Sequence, residues 1–308
     1  MPLVSVIMNV RNGASFLREA LDSILSQTFN DWELIVWDDC STDNSAEIVG
    51  TYHDPRIRYF LSPEETPLGK ARDAAIRQAT GTWLAFLDQD DVWLPYKLET
   101  QIALADAGVG LIYGRTVIFN ARHGNLRDYD YAHEFTSLPE GDIFAQLFTD
   151  ACFIAMSSAV VLRSAVEEMG GIPEAIEVAP DYYLYAAIAS RYHVRAVQEV
   201  VCLYRLHPGS MSRTNRLRLE QEPLLIIDQW AHSLDPRIVA YRRMTYSSAL
   251  ALQEMRTLQT LPAGLLRLIS NGSFLWVMSR PVVRAWRTVR RKLRRPYWLA
   301  TDSASGPD

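Results

Sequence analysis

Three cysteines in 308 residues, Cys40, Cys152 and Cys202, are too few and too scattered for a disulfide framework. No C-x-x-C occurs, so a zinc knuckle is excluded as well, and a reducing compartment fits this usage. Apolar runs are short: "FLWVM" at 274–278 is far below the ~18–20 residues a membrane-spanning helix needs. The N-terminal "MPLVSVIMNV" has neither a basic n-region nor a small-residue cleavage site, so a strand is expected there rather than a signal peptide. The expected location is the cytoplasm. The first strand is not followed by G-x-G-x-x-G, which argues against a nucleotide-linked dehydrogenase. A sugar-nucleotide pyrophosphorylase would need a Gly-rich phosphate loop near the N-terminus, and "MNVRNGAS" holds only Gly13. Basic residues are not in excess either: the formal charge of −5 gives no reason to expect nucleic acid as a partner.

What is present is an ordinary globular composition, 48 % apolar, with charge divided unevenly. From Met255 onward ten basic residues face two acids, about +8, which leaves about −13 on the first 254 residues (21 basic, 34 acidic). In the basic tail, Trp276, Val277, Val283, Trp286, Val289 and Leu293 can share one apolar side flanked by arginines. Such a segment suits an anionic lipid surface, and equally an ordinary packed helix or a dimer contact.

The first hundred residues alternate strand and helix. "VSVIM" (4–8), "WELIVW" (32–37), "IRYFL" (57–61) and "TWLAFLD" (82–88) read as strands. Between them, "ASFLREALDSILSQ" carries the i, i+3, i+4, i+7 stripe of a helix at Leu17, Ala20, Leu21, Ile24 and Leu25, and "NSAEIVGTY" and "GKARDAAIRQAT" are helical too. Asn44 and Glu47 have the spacing of a capping box. This alternation predicts an α/β fold: a Rossmann-like, mostly parallel mixed sheet with helices on both faces. Beyond Asp91 a helix is expected over "LPYKLETQIALADAG", a strand over 110–120, a polar loop to about 142, and a strand over "SSAVVLR" between two helices. "PDYYLYAAIASRY" should be a helix and "VRAVQEVVCLYRL" a strand, with residues 216 to about 295 mostly helical.

In open α/β sheets ligands bind beyond the carboxyl ends of the strands, and acids stand there. In "WLAFLDQDDVW" Asp88 and Asp90 are two apart, so an extended chain aims both carboxylates one way. Clustered carboxylates call for a positive partner, and Mg²⁺ or Mn²⁺ suits a site of few carboxylates completed by water and phosphates. A solvated turn, with Asp91 capping the next helix, is the plain alternative; in the metal reading Asp91 is secondary, either a cap or an outer partner of the pair. Asp39 ends the second strand, where an acid can accept from a ribose hydroxyl or a base N–H, or cap the next helix. Arg72 and Lys70 suit a diphosphate, or are simply exposed helix cations. Asp181 opens a helix, where an acid is favoured in any case; His207 is a lone loop histidine.

In order, "VSVIMNVRNGASFLREALDSILSQTFNDWELIVWDDCSTDNS", "GKARDAAIRQATGTWLAFLDQDDVWLPYKLE", "SSAVVLRSAVEEMGGIPEA", "PDYYLYAAIA" and "YRLHPGSMS" closely resemble the family 2 glycosyltransferases of GT-A fold, over about residues 3–213. The resemblance implies an inverting, hexosyltransferase-type enzyme with a nucleotide-sugar donor, a UDP-sugar by expectation, and Mn²⁺ or Mg²⁺. It places nucleoside binding on Asp39 and the metal-and-diphosphate motif on Asp88, Gln89 and Asp90. Arg72 matches the arginine of the family's G-x-x-x-R-N segment, with Asp73 where Asn is usual. Asn9, Val10, Arg11 and Asn12 replace the family's Pro-Thr-Tyr-Asn-like run; Asn9 and Arg11 are the donor-side candidates among them. Pro180-Asp181 stands where the family has Glu-Asp, which keeps the acid matching the catalytic base. His207 matches a histidine near the diphosphate or metal, so Asp88, Asp90 and His207 are the expected metal ligands.

The implied organisation is a GT-A domain over 1–215, donor half about 1–100 and acceptor half about 101–215, followed by a helical extension over 216–308. The loop at 120–142 and residues near 152–158 would line the pocket. Expected partners are the nucleotide-sugar, a saccharide or lipid-linked acceptor and no nucleic acid, with a peripheral membrane contact through 274–295 and a homodimer as further expectations. The role would lie in cell-surface polysaccharide or glycoconjugate synthesis. A non-catalytic carbohydrate- or nucleotide-binding protein of the same fold is the rival reading; acids at all three positions argue against it.

Overall fold

The structure is a computed structural model that describes residues 1–120, 129–130, 136–150, 152–211, 215 and 217–256. The proposed lipid-facing segment 274–295 and much of the 120–142 loop lie outside the described residues. The chain forms two compact units, one of Met1–Phe144 with Phe153–His207 and one of Ala145–Cys152 with Pro208–Asp308.

The first unit is built on a nine-stranded sheet. Its N-terminal part is parallel: β3 (Ile57–Leu61), β2 (Trp32–Asp38), β1 (Val4–Val10) and β4 (Trp83–Phe86) lie side by side in that order. The sheet then turns mixed. β4 pairs antiparallel with β8 (Val160–Leu162), β8 with β6 (Val109–Asn120), β6 runs parallel to β9 (His193–Leu206), and β5 (Val92–Trp93) closes the far edge against β9. A short β7 (Tyr129–Asp130) pairs with β6. β1, β2 and β4 are buried on nearly every residue, as continuous apolar runs demand when helices cover both faces.

Helix α1 (Leu17–Leu25) lays its stripe of Leu17, Ala20, Leu21 and Ile24 into the core, all fully buried. Each such Leu or Ile contributes about 1.5–3 kcal/mol over an exposed one. α2 (Ser45–Gly50), α3 (Leu68–Ile76) and α4 (Lys97–Ile102) complete the first half; α6 (Arg163–Glu168) and α7 (Pro180–Ala189) follow α5 (Phe144–Thr149). In the second unit α8 (Arg218–Trp230) packs on α9 (Pro236–Arg256), whose buried Arg242 donates to the Phe148 and Thr149 carbonyls at the end of α5. Among the described residues no helix is long and apolar enough to cross a membrane.

Two local expectations change. The helix expected from residue 94 starts only at Lys97, because Val92–Trp93 pairs with β9 and the Leu94 N–H and Pro95 carbonyl bond to Val201 and Thr28. The Asn44–Glu47 capping box does not form: the Asn44 side chain makes no cap bond, and Asp43 accepts the Ser45 N–H at 3.0 Å and its hydroxyl at 2.6 Å instead.

Candidate active site

All the strand ends that matter fall on one edge of the parallel sheet. β1 lies between β2 and β4, so the β2 end with Asp38 and Asp39 and the β4 end with Asp88 flank the β1 end with Asn9 and Arg11. The loops there are tied together. Gln89 accepts the Arg11 N–H at 2.8 Å and donates to the Arg11 carbonyl at 3.1 Å. Its amide passes so close to Gly13 that a side chain at Gly13 would collide with it. Gln89, expected among the donor-binding residues, also ties these two loops together. Asn12 and Cys40, just past β1 and β2, adopt left-handed backbone with φ of 49° and 58°, uncommon for residues other than glycine and concentrated at working sites.

Arg72 projects from α3 and donates to Asp88 Oδ1 at 2.7 Å. At the end of β9, His207 Nε2 and Asp90 Oδ2 are 2.8 Å apart, and the Phe16 and His207 ring centroids lie 4.8 Å apart. Asp181 is in the first turn of α7, its carboxylate accepting the Tyr182 N–H at 2.8 Å. The acids feel one another. Burial pushes the pKa of Asp88 up, the Arg72 charge pulls it back, and Asp90 and Asp181 add to the rise, leaving it at about 6. Burial likewise raises Asp181, against the Tyr182 N–H and Arg72. Asp88, Asp90, Asp181 and Arg72 therefore form one electrostatic cluster with more negative than positive charge.

Asp39 is set apart, over the end of β2. Its carboxylate is 4 % exposed and accepts the Thr66 N–H at 3.1 and 3.2 Å and the Thr66 hydroxyl at 3.1 Å. The Arg11 side chain is ion-paired with Glu65 of the same loop. The amide N and O of Asn9 are buried without a hydrogen-bond partner among the described residues.

Among the described residues no three His, Cys, Asp or Glu side chains are gathered as metal ligands. The surplus of carboxylate oxygen around Asp88 and Asp90 nevertheless fits a hard divalent cation of the kind held by one or two carboxylates and finished by water and phosphate.

The structure adds two residues that the sequence does not single out, Arg205 and Ser157, and decides the role of a third. Of the two readings of Asp91, a cap or an outer partner of the acid pair, the contacts fit the second: it is 1 % exposed, bonded to Ser157 at 2.5 Å and to the Arg205 N–H at 2.9 Å. Arg205 stands two positions before His207 on β9, so strand alternation could have flagged it. Nothing in "MSS" signals Ser157.

Comparison with known proteins agrees with this architecture. The family model for glycosyl transferase family 2 matches residues 5–170. A UDP-Glc:alpha-D-GlcNAc-diphosphoundecaprenol beta-1,3-glucosyltransferase of Escherichia coli, WfaP, is 31 % identical over 69 % of this chain and 80 % of its own length. A second E. coli protein of the same activity, WfgD, is 29 % identical over 71 % of this chain and 83 % of its own. Among solved structures, Staphylococcus aureus TarS 1–349 superposes with a TM-score of 0.62 at 16 % identity, covering 93 % of this chain and 91 % of that one. The mannosyltransferase PcManGT of Pyrobaculum calidifontis, solved with GDP-Man and Mn²⁺, gives 0.61 at 22 % identity over 95 % and 85 %. The mixed sheet flanked by helices is the GT-A-like fold of these neighbours, and the chain belongs to glycosyl transferase family 2 and is a glycosyltransferase.

Proposed function

We propose that the protein transfers a sugar from a nucleotide-sugar, a UDP-sugar by preference, to a hydroxyl of a saccharide or lipid-linked acceptor, with inversion, in the synthesis of a cell-surface polysaccharide. The observation that carries this reading is the gathering of Asp90, Asp181 and Arg72 around Asp88 at the carboxyl edge of the sheet. The E. coli relatives, named for UDP-glucose and a diphosphoundecaprenol acceptor, support the donor and the lipid-linked alternative. TarS solved with UDP supports a uridine nucleotide.

Each residue then has a task. Asp39 accepts from the base or ribose, held in place by Thr66. Arg72, already turned toward Asp88, offers its guanidinium to the diphosphate, where oriented positive charge stabilises a developing leaving group. Asp88 and Asp90, with His207 beside them, would hold Mn²⁺ or Mg²⁺, which when bound neutralises diphosphate charge. Asp181 takes the acceptor hydroxyl's proton; its raised pKa makes it a better base than an ordinary aspartate. The acceptor oxygen bonds to the anomeric carbon as the bond to the diphosphate oxygen breaks. One in-line displacement inverts that carbon.

The test is incubation of the purified protein with a panel of UDP-sugars and lipid-diphosphate-linked acceptors, with Mn²⁺ or with EDTA. Product anomers are assigned by NMR. Metal-dependent transfer with inversion is expected; a product retaining the donor's configuration removes the single-step mechanism and Asp181 as its base.

A further inference from the structure

The acid loop after β4 is gripped from beneath by residues that the chemistry above does not use. Ser157 sits in a short 3-10 turn, Met156–Ser158, ahead of β8. Its hydroxyl oxygen accepts the Asp88 N–H at 3.1 Å while its proton is donated to Asp91 Oδ2 at 2.5 Å. The other Asp91 oxygen accepts the Arg205 N–H at 2.9 Å. Arg205 Nε returns to the loop, donating to the Asp90 carbonyl at 2.7 Å, and Nη2 donates to Glu19 at 2.7 Å. The guanidinium is flanked by the rings of Phe16 and Phe119, 4.6 and 4.5 Å from their centroids. Ser157, Asp91 and Arg205 are 0, 1 and 5 % exposed.

Asp91 is a carboxylate buried beside two others, which is costly unless it is hydrogen-bonded. For folding alone, well-packed apolar side chains do as well or better than buried charge. What Asp91 does is join the acid loop to two other segments, the 156–158 turn and β9. Backbone groups of Asp88 and Asp90 are each taken by this network, the N–H of the first and the carbonyl of the second. Two neighbouring carboxylates repel, and a fixed backbone limits how far they can swing apart.

We propose that Ser157, Asp91 and Arg205 are positioning residues, a buried brace that fixes the direction of the Asp88 and Asp90 carboxylates. The proposal rests on the reading of those two acids as the metal- and diphosphate-binding pair. Ser157→Ala is the leading variant, because it deletes a single oxygen; Asp91→Asn is the second, nearly isosteric. Three quantities are followed: hydrogen exchange of the 87–91 segment, Mn²⁺ binding to the protein–UDP complex by EPR, and kcat against KM. Amide exchange should quicken in both variants, and Mn²⁺ affinity and kcat should fall roughly 10–100-fold, the usual cost of losing an outer partner of a metal ligand. UDP affinity measured without metal should stay unchanged. Exchange or Mn²⁺ affinity equal to wild type overturns the brace. So does a loss of Mn²⁺ and UDP binding together in step with a lowered Tm, which is the mark of a merely structural role. Asp90→Ala, run alongside, separates two failures. Transfer kept by Asp90→Ala removes the reading of the acids, and the proposal with it. Transfer lost there but untouched by Ser157→Ala overturns the brace alone.

Discussion

Arg72 and Asp88 meet at 2.7 Å, and the pair is unequal: the arginine side chain is 4 % exposed and the aspartate 33 %. The guanidinium is locked in place while the carboxylate keeps an open side, and Asp90 and Asp181 press their charge on it. Arg72 thus faces two of the acids, Asp88 and Asp181.

That imbalance sets a pH dependence. The pKa of Asp88 is raised from 3.8 to about 6, so its favourable contribution to folding is complete below pH 3.8 and is lost as pH rises through about 6. Above that the acids depend on Arg72. Arg72→Met should therefore lower Tm little at pH 5, where Asp88 is mostly protonated, and clearly more at pH 8. In wild type, Mn²⁺ should raise Tm more at pH 8 than at pH 5. Equal shifts at both pH values, read by calorimetry, would show that Asp88 does not carry this charge strain.

Asp181→Asn keeps the shape of the first turn of α7 and removes the base. Transfer should fall roughly 10²–10⁴-fold, the usual contribution of a general base, with UDP binding intact. Because burial raises Asp181, the acid limb of the wild-type kcat profile should lie above the ordinary carboxylate range. Near-wild-type transfer by the variant would assign the proton to another group.

Part of this site could be read from the sequence because the signals are short-range. The apolar run Trp83–Leu87 contains β4 (Trp83–Phe86), buried on both faces, and D-x-D follows the run directly. Asp39 and Asp181 likewise sit at the ends of apolar elements, β2 and α7, that the sequence shows as apolar runs. The brace was hidden because its members meet only through the fold: Ser157 lies 66 positions from Asp91, and Arg205 lies 114 positions from it. For Asp91 the sequence leaves two readings, a cap or an outer partner of the Asp88–Asp90 pair, and β5, only two residues long, gives no periodicity to choose between them. Composition could not show that Thr66 and Glu65 would occupy Asp39 and Arg11.

Lys97 was another surprise, since a lysine on an amphipathic helix is ordinarily exposed. Here it is fully buried, donating to Gln101 at 2.6 Å with its ammonium 4.1 Å from the centre of the Trp93 ring. Burial lowers its pKa from 10.5 to about 7. A depressed base supports folding fully above pH 10.5, and that support is lost as pH falls through about 7. Lys97→Met, of similar volume, should raise Tm, and the gain should be larger at pH 6 than at pH 9, worth about 1 kcal/mol or more at the lower pH. A gain independent of pH, or a loss at pH 6, would mean that the Gln101 and Trp93 contacts outweigh the buried charge.

Thr66 offers the sharpest check on nucleoside binding. Its N–H and hydroxyl both donate to Asp39, and at 4 % exposure this carboxylate has little freedom of its own. An ionised carboxylate has about four acceptor sites, so Thr66 can orient Asp39 and still leave it able to accept from a base N–H or a ribose hydroxyl. Thr66→Val removes one donor and keeps the side-chain shape. The expected result is a loss of about 1 kcal/mol in UDP affinity, roughly fivefold in Kd, with Thr66→Ser restoring it. Calorimetric titration with UDP, uridine and inorganic diphosphate localises the effect: uridine and UDP should weaken alike, and diphosphate should be unmoved. A drop confined to diphosphate would place the nucleoside elsewhere and leave Asp39 as a structural partner of the 62–67 loop.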